Sequence, residues 1–393
     1  MITVVHLITG LVRGGAETTL SRLVTRMDPG RFHNVVISMR PPTPFFEELV
    51  SRGVEIHSLG MRQGQSSLAA LLRLKALLAE SRPQVLQTWL YHADLFGTLA
   101  AAGTGIPLVW NLRNSEMGGT DGKRMHRVLV RMLARLSGQP TAIIANSHAA
   151  EQAHSAAGYR PRRWVHVPNG YDTDEFRPRQ DAGRRLRAEL ELPRDTLLIG
   201  HFARFDPMKD HGTFFTAAGA VAKAYPRAAF VMGGCGITSE NATLQQAIAE
   251  NGLAGRVHLL GERKDMPQLL AGLDMLALSS AYGESFPNVV AEAMACGIPI
   301  VATDVGDTAR MLKASGVIVP PRAPDELARA LTFLCGLEAR VSRRIGAQGR
   351  QIVCEHFTID RMVRQYEDLY TNLVVSAALN PARRFRLLPE PAE

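Results

Sequence analysis

The N-terminal residues 1–27 read MITVVHLITGLVRGGAETTLSRLVTRM. The apolar run from Ile2 to Ile8 is typical of a buried strand, and the stretch from Ala16 to Met27 has the apolar spacing of an amphipathic helix. The loop between them reads Arg13-Gly14-Gly15-Ala16-Glu17. A strand followed by a glycine-containing loop and a helix predicts an α/β fold.

The same alternation continues through the first 175 residues. Further strands are predicted at Val35–Ser38, Val54–His57, Val85–Thr88, Leu108–Trp110 and Ala142–Ala145. Further helices are predicted at Ser67–Glu80, Asp94–Ala102 and Lys123–Leu136. Helices of this length between strands act as crossovers and give a parallel sheet covered on both faces. Residues 1–175 are therefore predicted to form a Rossmann-like domain.

The alternation restarts after a polar stretch, residues 176–195, which is predicted to be a linker. Strands follow at Leu197–Gly200, Ala229–Met232, Val257–Leu260, Met275–Leu278 and Ile300–Thr303. Helices follow at Asp210–Ala224, Ala242–Asn251, Val289–Cys296 and Asp325–Cys335. Because 393 residues exceed one ordinary core, residues 196–355 are predicted as a second Rossmann-like domain. Residues 356–376 are predicted to be a helix that returns to the first domain, before a partly disordered tail at 377–393.

Charge divides unevenly along the chain. Residues 1–180 hold 21 Lys and Arg against 13 Asp and Glu, whereas residues 181–393 hold 24 of each class. The whole positive excess therefore belongs to the first half. Such an excess favours an anionic partner there, such as a phospholipid surface, a lipid-linked diphosphate or nucleic acid, or it serves solubility alone.

Cysteine usage and hydropathy exclude several classes of protein. No cysteine pair has CxxC spacing, and all four cysteines are interpreted as reduced core thiols. Nor is metal-ligand spacing found among His, Cys and Asp residues, so neither a metal ion nor a cofactor is expected. The chain lacks an apolar run of the roughly 18 residues needed for a membrane span. It also lacks the basic segment that precedes the apolar stretch of a signal peptide. A cytoplasmic protein is expected, and peripheral binding at the inner face of the membrane is compatible with this expectation.

The glycine loop after the first strand has two interpretations. Gly14 and Gly15 let backbone N–H groups approach a phosphate at the start of a helix, but a plain strand-to-helix turn has the same residues. The G-x-G-x-x-G pattern of a dinucleotide-binding loop is missing, which argues against an NAD oxidoreductase.

Two cations follow the first strand of the second domain, in the sequence Arg204-Phe205-Asp206-Pro207-Met208-Lys209-Asp210. Open parallel sheets bind ligands at the carboxyl ends of their strands. Arg204 and Lys209 are therefore candidates to clamp a diphosphate and to neutralise the charge that grows on a leaving group. The alternative is a pair of solvated loop cations.

The most specific stretch reads Tyr282-Gly283-Glu284-Ser285-Phe286-Pro287-Asn288 and continues through Glu292 to Pro299. Pro287 suits the first turn of a helix, and Ser285 is predicted to cap it. Glu284 in the loop and Glu292 on the helix would then reach one ligand, although paired carboxylates also cap or bridge helices.

With these motifs, the chain resembles family 4 of the retaining glycosyltransferases. The resemblance covers nearly the whole chain, and the motifs that carry it are Gly14–Glu17, Val167–Gly170, Arg204 with Lys209, Gly233–Gly236, Val257–Gly261 and the E-x7-E pair Glu284/Glu292. It implies the GT-B fold: α/β, with two facing Rossmann-like domains, parallel sheets and an interdomain cleft.

The resemblance also implies roles for individual residues. Arg204, Lys209 and Glu284 would form the catalytic set, in which Arg204 and Lys209 bind the donor diphosphate and Glu284 faces the transferred sugar. Glu292 would bind the ribose hydroxyls. The remaining substrate-binding residues are expected to be Gly14, Gly15, His92, Arg113, Asn114, Asn169, Gly236, Gly261, Arg263, Ser285, Phe286, Pro287, Asn288 and Val289.

Two departures from the family pattern concern the acceptor and donor sides. Many members carry a histidine after the strand matching Leu108 to Trp110, where this chain has Asn111-Leu112-Arg113-Asn114. His92 is the nearest candidate to contact the reacting centre, or it is a partly buried histidine at a helix start. In addition, the Glu that often follows the VGD turn is replaced near Arg310.

The function implied is transfer of a hexose-type sugar from a nucleotide diphosphate donor, with UDP as the expected nucleotide. Transfer would proceed with retention, without a metal ion, to a lipid-linked or polysaccharide acceptor in surface glycan biosynthesis. Nucleic acid is not an expected partner. The alternatives are a nucleotide-sugar epimerase of the same fold and a non-catalytic nucleotide-sugar-binding subunit.

The predicted helix Lys123–Leu136 suggests where the first domain would meet an anionic membrane. Its four arginines, Arg124, Arg127, Arg131 and Arg135, fall within about 80° of helix surface. A neighbouring apolar stripe consists of Met125, Leu129, Met132, Leu133 and Leu136. A basic face beside an apolar one suits a lipid interface, whereas an ordinary crossover helix would bury the stripe on its own sheet.

Overall fold

The computed structural model describes residues 1–12, 14–62, 68–115 and 123–379 and divides into two compact units. Unit 1 contains Met1–Gly170 and the chain from Ile359 onward, and unit 2 contains Tyr171–Thr358. The segment read as a linker, 176–195, thus lies in unit 2, where Phe176 and Leu186 pack into the core. Of the tail predicted at 377–393, residues 377–379 belong to the last described helix, and residues 380–393 lie outside the described residues.

Unit 1 is built on a parallel sheet of seven strands. The strands are β1 (Ile2–Ile8), β2 (Phe32–Ser38), β3 (Glu55–Ser58), β4 (Val85–Trp89), β5 (Leu108–Leu112), β6 (Ala142–Ala145) and β7 (Trp164–His166). The helices between them are α1 (Gly15–Val24), α2 (Pro44–Ser51), α3 (Leu68–Ser81), α4 (Tyr91–Ala101), α5 (Lys123–Leu136) and α6 (His148–Ala156). The strand order is β3-β2-β1-β4-β5-β6-β7, so the direction of winding reverses between β1 and β4.

Each strand and helix predicted in this half overlaps one in the structure, although the first residue predicted for α3, Ser67, lies outside the described residues. The short elements α2, α6 and β7 were not predicted. The start of α2 carries a sequence signal that was overlooked: Thr43 Oγ1 accepts a hydrogen bond from the Phe46 amide at 3.2 Å, and Pro44 opens the helix.

Unit 2 contains a six-stranded parallel sheet in the order β10-β9-β8-β11-β12-β13. Its strands are β8 (Leu197–Phe202), β9 (Ala228–Gly233), β10 (Val257–Leu259), β11 (Met275–Leu278), β12 (Ile300–Thr303) and β13 (Gly316–Val319). Its helices are α7 (Ala182–Glu189), α8 (His211–Ala224), α9 (Ala242–Glu250), α10 (Met266–Ala271), α11 (Asn288–Ala295), α12 (Thr308–Leu312), α13 (Pro324–Cys335) and α14 (Ala339–His356). The winding reverses between β8 and β11, which makes the carboxyl ends of these two strands the expected ligand position.

The last described helix, α15 (Ile359–Leu379), packs on the sheet of unit 1. It buries Met362, Tyr366 and Tyr370 in the same apolar cluster as β1 and β4. Two polar contacts fix its register, because Tyr370 Oη donates to Gln87 Oε1 at 2.6 Å and Asn111 Nδ2 donates to Tyr366 Oη at 2.8 Å. The C-terminal segment therefore supplies one face of the unit 1 core.

The four cysteines differ from the expected core thiols. Each is free, but only Cys296 is buried and Cys335 half-buried, while Cys235 and Cys354 are exposed. Burial raises the pKa of both the Cys296 and the Cys335 thiol to about 12, so these two stay protonated. Among the described residues, no helix is long and apolar enough to cross a membrane.

Two glycines in unit 2 allow α11 and α14 to approach at backbone distance. A Cβ on Gly346 would lie 1.9 Å from the carbonyl oxygen of Gly297, which follows α11. Arg350, one turn along α14, donates to the carbonyl oxygen of Ala295 and, at 3.0 Å, to that of Phe176. The position of α11 therefore depends on a contact that only glycine permits.

We expect Gly346→Ala to lower the apparent melting temperature, because its methyl group would force α14 away from Gly297. Overpacking of this kind costs about 1–3 kcal/mol, more than the gain of roughly 1 kcal/mol from placing alanine in a helix. Gly349→Ala on the same helix is the matched control, since its Cβ would meet Ser315 Oγ at 3.4 Å, an ordinary contact. Thermal unfolding followed by circular dichroism compares the two, and equal melting temperatures would contradict the expectation.

Candidate functional site

A buried ion pair at the carboxyl edge of the unit 2 sheet joins the loops after β8 and β11. Lys209 Nζ contacts Glu284 Oε1, and Ser280 Oγ donates to the same oxygen at 2.7 Å. The side chains of Lys209 and Glu284 are only 14% and 9% exposed. Buried charges are tolerated when they are paired and hydrogen-bonded, so this contact places a cation and a carboxylate at the switch point.

A short 3₁₀ turn, Pro207–Lys209, presents Lys209. Asp206 opens the turn, because its Oδ1 accepts from the Met208 amide at 2.9 Å. Asp210 closes it with a left-handed φ of 47° and caps α8 through the Thr213 amide. The Ala281 amide donates to the Met208 carbonyl oxygen at 2.8 Å and thereby ties the turn to the loop after β11. The backbone around Lys209 is held on both sides.

Arg204 occupies a more open position. Its side chain is 57% exposed, and Nε lies 3.0 Å from Asp206 Oδ2. Partial burial acts to raise the pKa of Asp206, but the Met208 amide and the Arg204 guanidinium lower it below the ordinary value. Arg204 thus keeps exposed donor surface beside an ionised carboxylate, near the turn that carries Lys209.

Two buried histidines that were not predicted lie beneath Lys209. His201 Nε2 is 2.9 Å from Ser279 Oγ, and that hydroxyl donates to the Lys209 carbonyl oxygen at 2.8 Å. Burial and the nearby Lys209 lower the pKa of His211 to about 4, and burial, His211 and Lys209 lower that of His201 well below its ordinary value. Both rings therefore stay neutral and support the Lys209 turn without adding charge.

Helix α11 begins at Asn288, one residue before the predicted bound of Val289, and Pro287 lies just outside it rather than in its first turn. Pro287 precedes the helix with an extended ψ of 111°, so Ser285 is not its cap residue. The side chain of Asn288 accepts from Tyr171 Oη at 2.7 Å, and Phe286 is buried between the rings of Tyr171 and Phe357. These contacts make Asn288 and Phe286 anchors of the loop.

The amides of Asn288 and Val289 lie in the first turn of α11, where backbone N–H groups point toward the N-terminal end of the helix. Glu292 is half-buried one turn after Asn288 and lies on the same helix face. The structure therefore brings Glu284, the start of α11 and Lys209 to one edge of the sheet.

Gly306, which was not predicted as part of the site, supports Glu284 from the loop after β12. Its φ is +64°, and a Cβ there would lie 2.4 Å from the Glu284 carbonyl oxygen. The Asp307 amide donates to the Ser285 carbonyl oxygen at 3.0 Å. The signal available in the sequence was the glycine of the Val305-Gly306-Asp307 turn.

Gly236, Gly261 and Arg263 lie in loops after β9 and β10. Gly236 and Gly261 both have positive φ, of 77° and 62°. Arg263 pairs with both carboxylate oxygens of Asp265, at 2.7 and 2.6 Å, and with Glu189 Oε1 at 2.6 Å. Carboxylates within unit 2 therefore already engage the guanidinium of Arg263, which was predicted to bind substrate.

Unit 1 has a pocket of about 190 Å³ at the carboxyl ends of β4 and β5. Its lining residues are Thr9, Leu90, Tyr91, His92, Asn111, Leu112, Arg113, Asn114 and His126. Three of the predicted residues, His92, Arg113 and Asn114, therefore share one pocket. Burial lowers the pKa of His92, as do Arg40 and His126 nearby, so its ring is neutral around pH 7.

Leu90, which also lines this pocket, has a strained backbone. Its φ of 74° and ψ of 154° belong to a region that is essentially restricted to glycine. The next residue, Tyr91, is held in place because its Oη lies 3.0 Å from both Asn114 Oδ1 and His154 Nε2. Strain of this kind concentrates at functional sites, which supports the pocket as one.

Arg113 also connects the start of α1 to Asn169. Its Nη2 donates to Thr19 Oγ1 at 2.7 Å and to Asn169 Oδ1, and its guanidinium lies over the Trp89 ring at 5.7 Å. Gly14 precedes α1 in an extended conformation, and Gly15 is the first helical residue. Arg13 lies outside the described residues. The glycine turn and Arg113 thus belong to the same edge of the unit 1 sheet.

Comparison with protein families finds a match in each half of the chain. Residues 13–175 match the model described as Glycosyltransferase Family 4, and residues 196–336 match the model described as Glycosyl transferases group 1. One relative is a protein named as a glycosyltransferase, EpsF of Bacillus subtilis, which is 27% identical over 313 residues that cover 77% of this chain and 79% of EpsF. Another is the D-inositol 3-phosphate glycosyltransferase of Salinispora tropica, 29% identical over 336 residues, with 78% and 67% covered.

Among solved structures, the chain is similar to Alr3699/HepE of Anabaena in complex with UDP. The TM-score is 0.83 at 23% identity, with 94% of this chain and 100% of that chain covered. The complex of the same protein with UDP-glucose gives a TM-score of 0.81, also at 23% identity, with 95% and 100% covered. At this identity the likeness concerns the fold.

Proposed function

Since the chain belongs to the family 4 glycosyltransferases and has the GT-B fold, we propose that it transfers a hexose from a UDP-sugar with retention of anomeric configuration. The observation that carries this proposal is the buried contact between Lys209 and Glu284 at the unit 2 switch point. It combines a cation for a leaving phosphate with a carboxylate for a sugar that develops positive charge. The UDP and UDP-glucose complexes of Alr3699/HepE support the choice of donor.

In this proposal, unit 2 binds the donor. Lys209 and the exposed guanidinium of Arg204 hold the diphosphate, and the amides of Asn288 and Val289 add donors from the start of α11. Glu292 takes the ribose hydroxyls. As the glycosidic bond breaks, negative charge grows on the diphosphate, so these groups stabilise the transition state more than the ground state.

Glu284 stabilises the sugar rather than attacking it. Its Oε1 already accepts from Lys209 and Ser280, and these contacts fix its position. The acceptor hydroxyl then attacks from the face that the diphosphate leaves, and the departing phosphate accepts the proton. This scheme retains configuration without a covalent intermediate on the enzyme and without a metal ion.

Unit 1 provides the acceptor side. Its pocket presents Tyr91, His92 and Asn114, whose groups can hydrogen-bond a sugar hydroxyl. The positive excess of residues 1–180 favours an acceptor that carries phosphate, such as a lipid-linked saccharide, and a polysaccharide acceptor is the neutral variant. We assign the protein to surface glycan biosynthesis in the cytoplasm, at the inner face of the membrane.

Incubation with a panel of nucleotide sugars should give slow donor hydrolysis, and faster turnover with a saccharide acceptor. Lys209→Ala should lower turnover by about two orders of magnitude or more, the scale of losing one charge-stabilising donor. Lys223→Ala, at an exposed position of α8, is the matched control and should match the parent. Turnover of Lys209→Ala within threefold of the parent would contradict the assignment.

The same panel separates the rival functions. An epimerase would release a free epimeric sugar or return an epimerised nucleotide sugar without an acceptor. A non-catalytic binding subunit would bind a nucleotide sugar with no turnover in the parent or in any variant.

Activity should survive EDTA, because protein cations and helix amides take the place of a divalent ion on the diphosphate. The measurement is initial-rate transfer after dialysis against EDTA, with and without added Mg²⁺ or Mn²⁺. Loss of activity that either ion restores would mean that a metal ion takes part in the reaction.

Helix α5 supports docking of unit 1 on a membrane. Its predicted apolar stripe divides in the structure: Leu129 and Leu133 are buried, whereas Met125 and Met132 are 77% and 37% exposed. Val128, which was not included in the stripe, is also 52% exposed. The four arginines at 124, 127, 131 and 135 are exposed as well. An exposed basic face beside exposed apolar side chains suits the headgroup region of an anionic bilayer.

We expect the protein to sediment with vesicles that contain anionic lipid and to be released by salt, because each Arg near such a surface contributes about 1 kcal/mol. Replacing the four α5 arginines by glutamate should abolish binding. The matched control reverses four exposed arginines of unit 2, namely Arg329, Arg340, Arg343 and Arg344. Equal recovery in the supernatant with anionic and with neutral vesicles would remove the membrane from the proposal.

A further inference from the structure

A cluster of metal-ligating side chains lies in unit 1 at the carboxyl ends of β6 and β7. The ligand atoms of His148, Glu151 and His166 all lie within 4.8 Å of one another. Glu151 Oε2 is 2.5 Å from His166 Nε2, and the rings of His148 and His166 are 4.2 Å apart. Two imidazoles and one carboxylate are the ligand set of many three-ligand sites for divalent transition metals.

Local structure brings these three residues together from two elements. His148 is the first residue of α6 and Glu151 follows three residues later, so both side chains lie on one helix face. Ser147 Oγ caps this turn by accepting from the Ala150 amide at 2.9 Å. His166 is the last residue of β7 and pairs with Ala145, the last residue of β6. Helix α6 begins shortly after Ala145, at His148. The arrangement follows from strand pairing and a capped helix start.

The three residues do not have metal-ligand spacing in the sequence, because one of them is distant along the chain. His148 and Glu151 are close in sequence, but the third ligand comes from an edge strand fifteen residues further along. In the described part of the chain, these are the three His, Cys, Asp or Glu side chains whose ligand atoms lie close enough together to share one metal ion. The expectation that no metal binds to this protein therefore needs an experiment.

We propose that His148, Glu151 and His166 bind one divalent transition-metal ion, with Zn²⁺ as the probe. Metal bonds of about 2.0–2.2 Å in a tetrahedral site place ligand atoms about 3.4 Å apart. The side chains of Glu151 and His166 are 28% and 34% exposed, and His148 is exposed, so small rotations reach this geometry. Three protein ligands leave a coordination position for water or an anion.

The site would act on structure rather than on the leaving group. It joins the start of α6 to β7, a strand of three residues at the edge of the sheet. The chain continues from β7 directly to Asn169, which accepts a hydrogen bond from Arg113. A bound ion would thus stabilise the edge of the sheet that carries Asn169. This metal site lies at the ends of β6 and β7, whereas the pocket residues follow other strands of unit 1.

The experiment is equilibrium dialysis of the full chain against Zn²⁺ after EDTA treatment, with Co²⁺ absorption to report the ligand geometry. The parent should bind one ion and gain thermal stability from it. His148→Ala, Glu151→Gln and His166→Gln should each weaken binding by about tenfold or more, since even residues that only support metal ligands change affinity 10–100-fold. His356→Ala is the matched control, because His356 lies beside Glu355 but belongs to no such three-residue group among the described residues.

Circular dichroism of each variant without metal establishes that it is folded. Absence of Zn²⁺ binding to the parent would overturn the site and leave an ion pair between Glu151 and His166. Unchanged binding by the folded His148 and His166 variants would overturn it equally. The readout is metal binding, so it is independent of whether the protein transfers a sugar.

Discussion

The buried ion pair between Lys209 and Glu284 sets the geometry of the unit 2 site. Burying a lysine and a glutamate away from water costs free energy unless the two charges pair, and here they pair between the loops that follow the neighbouring strands β8 and β11. The ion pair holds both loops in place together with two backbone contacts. The Ala281 amide donates to the turn that carries Lys209, and the Glu284 backbone lies against Gly306. Removing either charge leaves the other buried and unpaired, so the pair links loop structure to the chemistry proposed for it.

Two neutral histidines packed near Lys209 also avoid an unfavourable buried charge. His201 and His211 lie close to Lys209, and a proton on either ring would place two cations together in a poorly solvated position. Their lowered pKa values keep the positive charge on Lys209 alone. The hydrogen bond from Ser279 to the Lys209 carbonyl oxygen then supports the turn by a neutral contact, which leaves the ammonium group for Glu284 and for the phosphate proposed to bind there.

The alternation of apolar runs and amphipathic stretches was enough to predict both sheets, because long crossover helices repeat a strong periodic signal. It did not reveal β7 or β13, which are short strands at the edges of the two sheets. At the site, Lys209, Glu284 and Glu292 were predicted by motif, but the contact between Lys209 and Glu284 was not, since it joins residues 75 positions apart. The roles of Gly306 and of the cluster at His148, Glu151 and His166 likewise depend on contacts between residues that are distant in the sequence. Helix propensity alone also placed Pro287 inside α11, whereas its extended ψ puts it just outside.

The charge asymmetry along the chain has a structural counterpart. In unit 2, Lys209 pairs with Glu284, Arg204 with Asp206, and Arg263 with Asp265 and Glu189, so these cations create little field beyond their own loops. The donor diphosphate proposed for this unit would therefore be recognised at short range, by hydrogen bonds and by rearrangement of existing pairs. In the first half, by contrast, α5 carries four exposed arginines and no Asp or Glu. Charges of one sign on one exposed face add over a Debye length of roughly 8 Å, which is the range over which a membrane or a phosphorylated acceptor is first attracted.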